Sequence, residues 1–270
     1  MRLFTCGSSL PIPTDIFSNF DGVVADYFWD LWGTNPNRPS VFNFSEGKIS
    51  RSHFLYGNKH RKPPIQSECK TIEEWVRKRV SKFPQINEWL IVNEFTGEFP
   101  YTYYPGYNPE EVISYCKIVH EINPKAKLII ADFKPWMIGR WLESIKLVVE
   151  MSLEAGLPIE LGIQTHIKTI NAPVILTQLP RILKTYKNLC PVHFTEVSVW
   201  YSTELDKKVV NAIWCNLVDI AIAHNVASFC PWWLNEVDEE KMPTFDHFQG
   251  GSIFDKDWNL KVSEKVLLKK

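Results

Sequence analysis

Two glutamates, Glu94 and Glu196, stand where a pair of carboxylates could do chemistry. Each closes an apolar, strand-like run: Trp89-Leu90-Ile91-Val92-Asn93-Glu94 and Pro191-Val192-His193-Phe194-Thr195-Glu196. A carboxylate at the C-terminal tip of a buried parallel strand sits where barrel enzymes keep their reacting groups. Two of them, from different strands, supply the acid/base and the nucleophile that splitting a glycosidic bond requires. Acidic residues also cap strands and meet solvent or an arginine, so neighbouring residues have to decide between the two readings.

Asn93 precedes Glu94, and a side-chain amide there can hold a sugar hydroxyl or fix the carboxyl's orientation. The loop that follows carries Tyr101, Tyr103, Tyr104 and Tyr107, which suit either a cleft wall or a cover for the barrel rim. Further on, Gly162-Ile163-Gln164-Thr165-His166 ends another strand-like run, and alternation along a strand places Gln164 and His166 on one side. A histidine at that mouth can hydrogen-bond a carboxylate and keep it ionised. Pro231-Trp232-Trp233-Leu234-Asn235-Glu236 ends the last run, and one of its indoles suits the floor under a sugar ring. The chain has no Gly-rich phosphate loop, no nucleophile-elbow serine and no HExxH, which argues against the common kinase, esterase and metalloprotease readings.

Eight strand candidates have to position these residues: Arg2–Cys6, Gly22–Trp29, His53–Gly57, Glu88–Asn93, Lys127–Asp132, Glu160–Thr165, Val192–Glu196 and Ala227–Trp232. They are short and rich in Val, Ile, Leu and Phe, as strands buried on both faces should be. Helical patterns separate the later ones. Thr71–Phe83 opens with a capping-box pattern, Thr71-Ile72-Glu73-Glu74. Asn108 followed by Pro109 caps a helix running to Ile122. Ile138–Ala155 ends at Gly156, a natural left-handed terminator. Pro173–Tyr186, Glu204–His224 and a closing Trp258–Leu268 complete the set. Residues 31–52 read as loop. Strand alternating with helix predicts parallel crossovers, so the expected fold is α/β, a (β/α)8 TIM barrel with abbreviated early helices. With no linker or repeat in sight, residues 1–270 are expected to form a single domain, and one such barrel needs about 250 residues.

The charge balance is 30 basic against 31 acidic side chains, which offers no basic face for nucleic acid or an anionic membrane. No apolar stretch approaches the roughly 18 residues that span a bilayer. The first residues carry too short an apolar run for a signal peptide. That expects a cytoplasmic protein as the chain stands, or a secreted one if a leader was removed. Cys6, Cys69, Cys116, Cys190, Cys215 and Cys230 show no paired spacing, so neither a metal nor another cofactor is expected. Eleven tryptophans are abundant for this length, and they fit sugar stacking or core filling equally.

Taken in order, the motifs resemble glycoside hydrolase family 10, the family of endo-β-1,4-xylanases. Its W-D-V-V-N-E segment is similar to Trp89–Glu94. Its P-x-A-K-L and N-D-Y segments are similar to Pro124-Lys125-Ala126-Lys127-Leu128 and Ala131-Asp132-Phe133. G-x-P-I-x-G-I-G-x-Q-x-H resembles Gly156-Leu157-Pro158-Ile159 running into Gly162-Ile163-Gln164-Thr165-His166. T-E-L-D-V resembles Thr195-Glu196-Val197-Ser198-Val199. The closing W-G-V-x-D and L-L-F-D segments resemble Trp232-Trp233-Leu234-Asn235-Glu236 and Ser252-Ile253-Phe254-Asp255. The match runs from about residue 71 to 268.

This resemblance implies a retaining double displacement with Glu94 as acid/base and Glu196 as nucleophile. It implies that His166 orients Glu196, that Asn93 and Gln164 bind sugar hydroxyls, and that Trp232 is a platform. Two segments depart from the family pattern. The N-E-M-K-W segment of strand two corresponds to Asp26-Tyr27-Phe28-Trp29-Asp30-Leu31-Trp32, without its Lys. The H-T-L-V-W-H segment corresponds to His53-Phe54-Leu55-Tyr56-Gly57-Asn58, with Asn58 facing substrate in place of the second His. The expected substrate is a β-linked polysaccharide or oligosaccharide, xylan-like first, acted on by a monomer. A β-glucanase or mannanase of a related barrel family and a carbohydrate-binding protein on the same fold stay open as alternatives.

Overall fold

The computed structural model describes residues 1–6, 12–25, 48–52, 69–93, 108–133, 140–201, 203–236 and 250–267. Eight parallel strands close into a barrel in sequence order: β1 (Arg2–Cys6), β2 (Gly22–Ala25), β3 (Ile49–Ser52), β4 (Glu88–Asn93), β5 (Lys127–Phe133), β6 (Ile159–Lys168), β7 (Val192–Trp200) and β8 (Ser228–Pro231). β1 pairs with β8 through Arg2–Ser228 and Leu3–Phe229, which completes the ring. Helices α1 (Thr14–Phe17), α2 (Ile72–Lys82), α3 (Pro109–Ile122), α4 (Arg140–Glu154), α5 (Ala172–Tyr186) and α6 (Glu204–Ala223) lie between strands. The expected TIM barrel is the observed one, and α1, with four residues, is an abbreviated early helix.

The helix boundaries follow local chemistry. Thr71 caps α2 by accepting the Glu74 amide at 3.2 Å, while the Glu74 carboxylate accepts the Lys70 amide at 2.7 Å. The reciprocal bond thus lands one residue before the usual capping-box position. Asn108 caps α3 by accepting the Glu110 amide at 3.0 Å, with Pro109 first in the helix. Gly156, at φ +75°, follows α4 in the left-handed conformation that terminates helices.

Outward-facing strand residues such as Ile91, Ile130, Ile163, Phe194 and Val197 pack against the helices in one continuous apolar layer. Phe194, Phe229 and Trp214 meet there as tilted ring pairs, with centroids 6.0 and 6.2 Å apart. Each such pair adds about 1 kcal/mol beyond its buried area. Inside the barrel, Leu90, Ile129 and Ala131 form one small apolar cluster, and Phe4, Val24 and Cys230 another. Gly162 faces the first of these. A Cβ there would fall 2.8 Å from both Ala131 Cβ and Thr195 Cγ2, so only glycine fits.

The strand starts hold a buried ionic cluster. Arg51, 1% exposed, donates to Glu88 Oε2 from Nε at 2.8 Å and from Nη2 at 2.6 Å, and to Ser228 Oγ at 2.8 Å. Arg2 reaches the other Glu88 oxygen. His193 Nε2 lies 2.5 Å from Glu160 Oε2, and Lys127 Nζ lies 3.0 Å from Glu160 Oε1. Each of the two carboxylates meets a cation here, Glu88 through Arg51 and Arg2 and Glu160 through Lys127, as a buried carboxylate requires.

Two expectations need correction. Residues 31–52 were expected as loop, yet Ile49–Ser52 is β3. Its Ile-Ser-Arg-Ser sequence lacks an apolar run because its interior demand is met by the Arg51–Glu88 pair. The expected strand His53–Gly57 lies outside the described residues, as does the end of the expected Gly22–Trp29. The closing helix Trp258–Leu268 does not form. The Asp255 carboxylate accepts the amides of Asp257 at 2.9 Å and Asn259 at 2.8 Å, which bends the chain back. Trp258 then takes φ +66°, Phe254 bridges Leu260 antiparallel, and only Glu264–Leu267 forms a short 3₁₀ turn. The segment Ser252–Phe254, here β10, instead pairs with β9 (Trp233–Asn235). Among the described residues no helix is long and apolar enough to cross a membrane.

Candidate active site

A bulge in β7 aims Glu196. Ile163 on β6 pairs with Phe194, but the next residue, Gln164, pairs with Glu196, so β7 holds one extra residue there. The β8 side records the same insertion, pairing Phe194 with Phe229 and Val197 with Pro231. Phe194 and Val197 both pack outward. Strict alternation from Phe194 would send Glu196 outward as well; the added residue turns it to the interior. β4 uses the same device. Leu90 pairs with Ile129 and Val92 with Ile130, so Ile91 is extra and Asn93 comes round beside Ala131 on the interior side.

The Glu196 carboxylate is buried, 4% exposed, and each oxygen faces its own side-chain nitrogen. Gln164 Nε2 donates to Oε1 at 2.8 Å, and His166 Nε2 lies 3.3 Å from Oε2. The second hydrogen of the Gln164 amide goes to Asn93 Oδ1 at 2.9 Å. Gln164 and His166 thus do share one face, and both reach the same carboxylate. Behind His166, its Nδ1 lies 2.7 Å from Ser198 Oγ, which also accepts the Trp200 indole N–H. A carboxylate held on both oxygens from the middle of a barrel strand is fixed in direction.

A profile of glycosyl hydrolase family 10 matches residues 54–263. The chain belongs to glycosyl hydrolase family 10. Solved structures share its fold. Xylanase 10B from Thermotoga petrophila RKU-1, in complex with xylobiose, superposes with a TM-score of 0.76 at 20% identity, covering 99% of this chain and 94% of that one. Xylanase B from Clostridium stercorarium F9 gives 0.76 at 16% identity, over 100% and 96% of the two chains. A thermostable mutant xylanase from Cellvibrio japonicus gives 0.76 at 15%, over 99% and 96%. At such identities the likeness is one of fold. Comparison with curated protein sequences finds no match. By family, then, this is a glycoside hydrolase on a (β/α)8 barrel.

Of the residues expected at the site of this family-10 protein, Asn93, Gln164, His166 and Glu196 come together in one hydrogen-bonded group. Trp232 follows β8, partly buried, with its amide bound to Val197 O at 2.8 Å, one residue beyond Glu196. Glu94, directly after Asn93 in the chain, and Asn58 lie outside the described residues. The same holds for Tyr101, Tyr103, Tyr104 and Tyr107. Glu196 does not close its strand as expected, because β7 runs on to Trp200. That extension carries Ser198 and Trp200, which sequence reasoning missed. Their signal was in the sequence: positions 196, 198 and 200 fall on one strand face. Among the described residues, no group of three or more His, Cys, Asp or Glu is arranged to hold a metal ion.

Proposed function

We propose that this chain, as one catalytic barrel over residues 1–270, hydrolyses a β-linked polysaccharide or oligosaccharide of xylan type by retaining double displacement. The observation that carries this reading is the Glu196 carboxylate, buried on an interior bulge and held by Gln164 on one oxygen and His166 on the other. A nucleophile must present one lone pair along a fixed line, and two side-chain donors on a rigid strand pair meet that need. Family membership and the xylobiose bound by the Thermotoga petrophila relative support the sugar class.

In the first step a Glu196 oxygen attacks the anomeric carbon while Glu94 gives its proton to the departing glycosidic oxygen. The bond to the leaving group breaks as the glycosyl ester forms. In the second step Glu94, now ionised, takes a proton from water. The water oxygen attacks the same carbon and Glu196 departs as carboxylate. Two inversions give net retention, for which the two carboxyl groups should stand about 5–5.5 Å apart. Asn93 spends its side-chain oxygen on Gln164, which leaves its amide nitrogen to donate to a sugar hydroxyl. Trp232 offers an indole face to a sugar ring, and Asn58 is the remaining substrate contact we assign.

The test is hydrolysis of xylan, mixed β-glucan, mannan and aryl β-glycosides, with Glu94→Ala and Glu196→Ala as controls. Turnover of xylan that disappears in both variants, with the product released first as the β-anomer, supports the reading. Preference for glucan or mannan would move the substrate. Sugar binding without turnover on any substrate would overturn the enzyme.

A further inference from the structure

Ser198 fills the place of the Asp in the T-E-L-D-V pattern, and what surrounds it sets the protons on His166. Trp200 Nε1–H can only donate, and it donates to Ser198 Oγ. Ser198 is fully buried, and among the described residues its hydroxyl has two partners, Trp200 and His166. With the oxygen accepting from the indole, the hydroxyl proton has one destination, His166 Nδ1 at 2.7 Å. An imidazole that accepts at Nδ1 carries its proton on Nε2, the nitrogen that faces Glu196 Oε2. The opposite tautomer would set a bare Nε2 lone pair against a carboxylate oxygen. A doubly protonated ring would need Ser198 to accept twice and would leave the hydroxyl proton without an acceptor among the described residues, a penalised state in a buried site.

We propose that Ser198, oriented by the Trp200 indole, is a positioning residue that locks His166 in the Nε2–H tautomer, so that His166 serves Glu196 as a fixed hydrogen-bond donor. The Trp200–Ser198–His166–Glu196 chain runs along one strand face and across to its neighbour. Each hydrogen in it has a direction dictated by the donor-only indole at its far end. A carboxylate in place of Ser198 would behave differently, since it brings no proton and would draw one onto Nδ1. The kinetic part of the proposal rests on Glu196 being the nucleophile; the tautomer itself does not.

The experiment combines nitrogen-15 imidazole spectra with kinetics. Histidine-labelled protein at neutral pH is compared with Ser198→Ala, Ser198→Thr, Ser198→Asp and Trp200→Phe, and the His166 signals are assigned by their loss in His166→Gln. The wild type should show one bare and one protonated ring nitrogen, with the proton on Nε2. Ser198→Ala should average the two tautomers and lower kcat by about ten-fold with KM nearly unchanged, the scale of one hydrogen bond. Ser198→Thr should restore both spectrum and kcat. Trp200→Phe should shift the spectrum the way Ser198→Ala does, and Ser198→Asp should give two protonated nitrogens. A wild-type ring protonated on Nδ1, or a Ser198→Ala spectrum identical to wild type, overturns the proposal. If the wild type turns over no glycoside yet shows the Nε2–H spectrum, the glycosidase reading falls while the tautomer assignment stands.

Discussion

Glu196 has one side-chain nitrogen on each oxygen, Gln164 Nε2 on Oε1 and His166 Nε2 on Oε2, and their contributions are separable. Glu196→Ala removes the proposed nucleophile and should cost on the order of 10⁵-fold in kcat while sugar affinity is largely kept, as isothermal titration with xylo-oligosaccharide would report. Gln164→Ala removes the donor to Oε1 and also frees Asn93. Hydrogen bonds to charged groups are worth about 1.5–3 kcal/mol, so kcat/KM should fall roughly 10- to 100-fold. An unchanged kcat/KM would mean that Gln164 serves the barrel wall alone. Asn93, Gln164, His166 and Glu196 were all legible in the sequence, because residue type and strand position already marked them. Ser198 and Trp200 were overlooked, although the alternation of Val197 and Val199 with Glu196, Ser198 and Trp200 continues the strand pattern past Glu196.

At the level of elements, long apolar strands and capped helices were readable and the irregular pieces were not. β1 and β4 have the bounds their apolar runs predict. β3 was hidden because an ion pair, not hydrophobic side chains, fills its interior side. The closing segment carried helix-forming residues, but Asp255 took the amides that a first turn would need. The two bulges leave no mark in composition at all, yet they decide which way Asn93 and Glu196 point. Gly162 sits opposite the β7 bulge, and its missing side chain makes room for Thr195. Gly162→Ala should therefore lower unfolding free energy by about 1–3 kcal/mol through overpacking. It should also lower kcat by displacing the bulge, both read from denaturation curves and steady-state rates on the same preparation. A variant as stable as wild type would show that the barrel centre has slack.

Across the whole molecule, the described residues of the barrel place a polar group toward each end, with apolar and small residues between them. The C-terminal end holds Glu196 and its partners. The N-terminal end holds Arg51, Glu88, His193 and Glu160, and its titrating groups couple stability to pH. Burial pushes His193 down to about 4 from the ordinary 6.5, against the opposing pull of Glu160. Between pH 6.5 and 4 the unfolded chain therefore binds a proton that the folded chain refuses, and stability declines as pH falls. Burial alone would raise Glu160, but its bonds to His193 and Lys127 outweigh that and bring it to about 2 from 4.5. Its stabilisation is complete above pH 4.5 and is lost as pH falls towards 2. Both groups act in the same direction, so denaturant midpoints should drop steadily from pH 6.5 downward and stay flat, for this pair, from 6.5 to 8. His193→Gln should be less stable than wild type at pH 7 but lose less on acidification to pH 4. Equal slopes for the two proteins would remove His193 from the account.

The proposed double displacement attaches the sugar covalently to Glu196. The most direct test exposes the protein to an activated 2-deoxy-2-fluoro β-xylobioside, whose fluorine slows the second displacement, and maps the adduct by mass spectrometry of peptides. The expected result is a mass increase of one fluoroxylobiosyl unit, located on Glu196 and absent from Glu196→Ala. A protein that hydrolyses xylan without forming that adduct, or that carries it on another residue, would contradict the assignment.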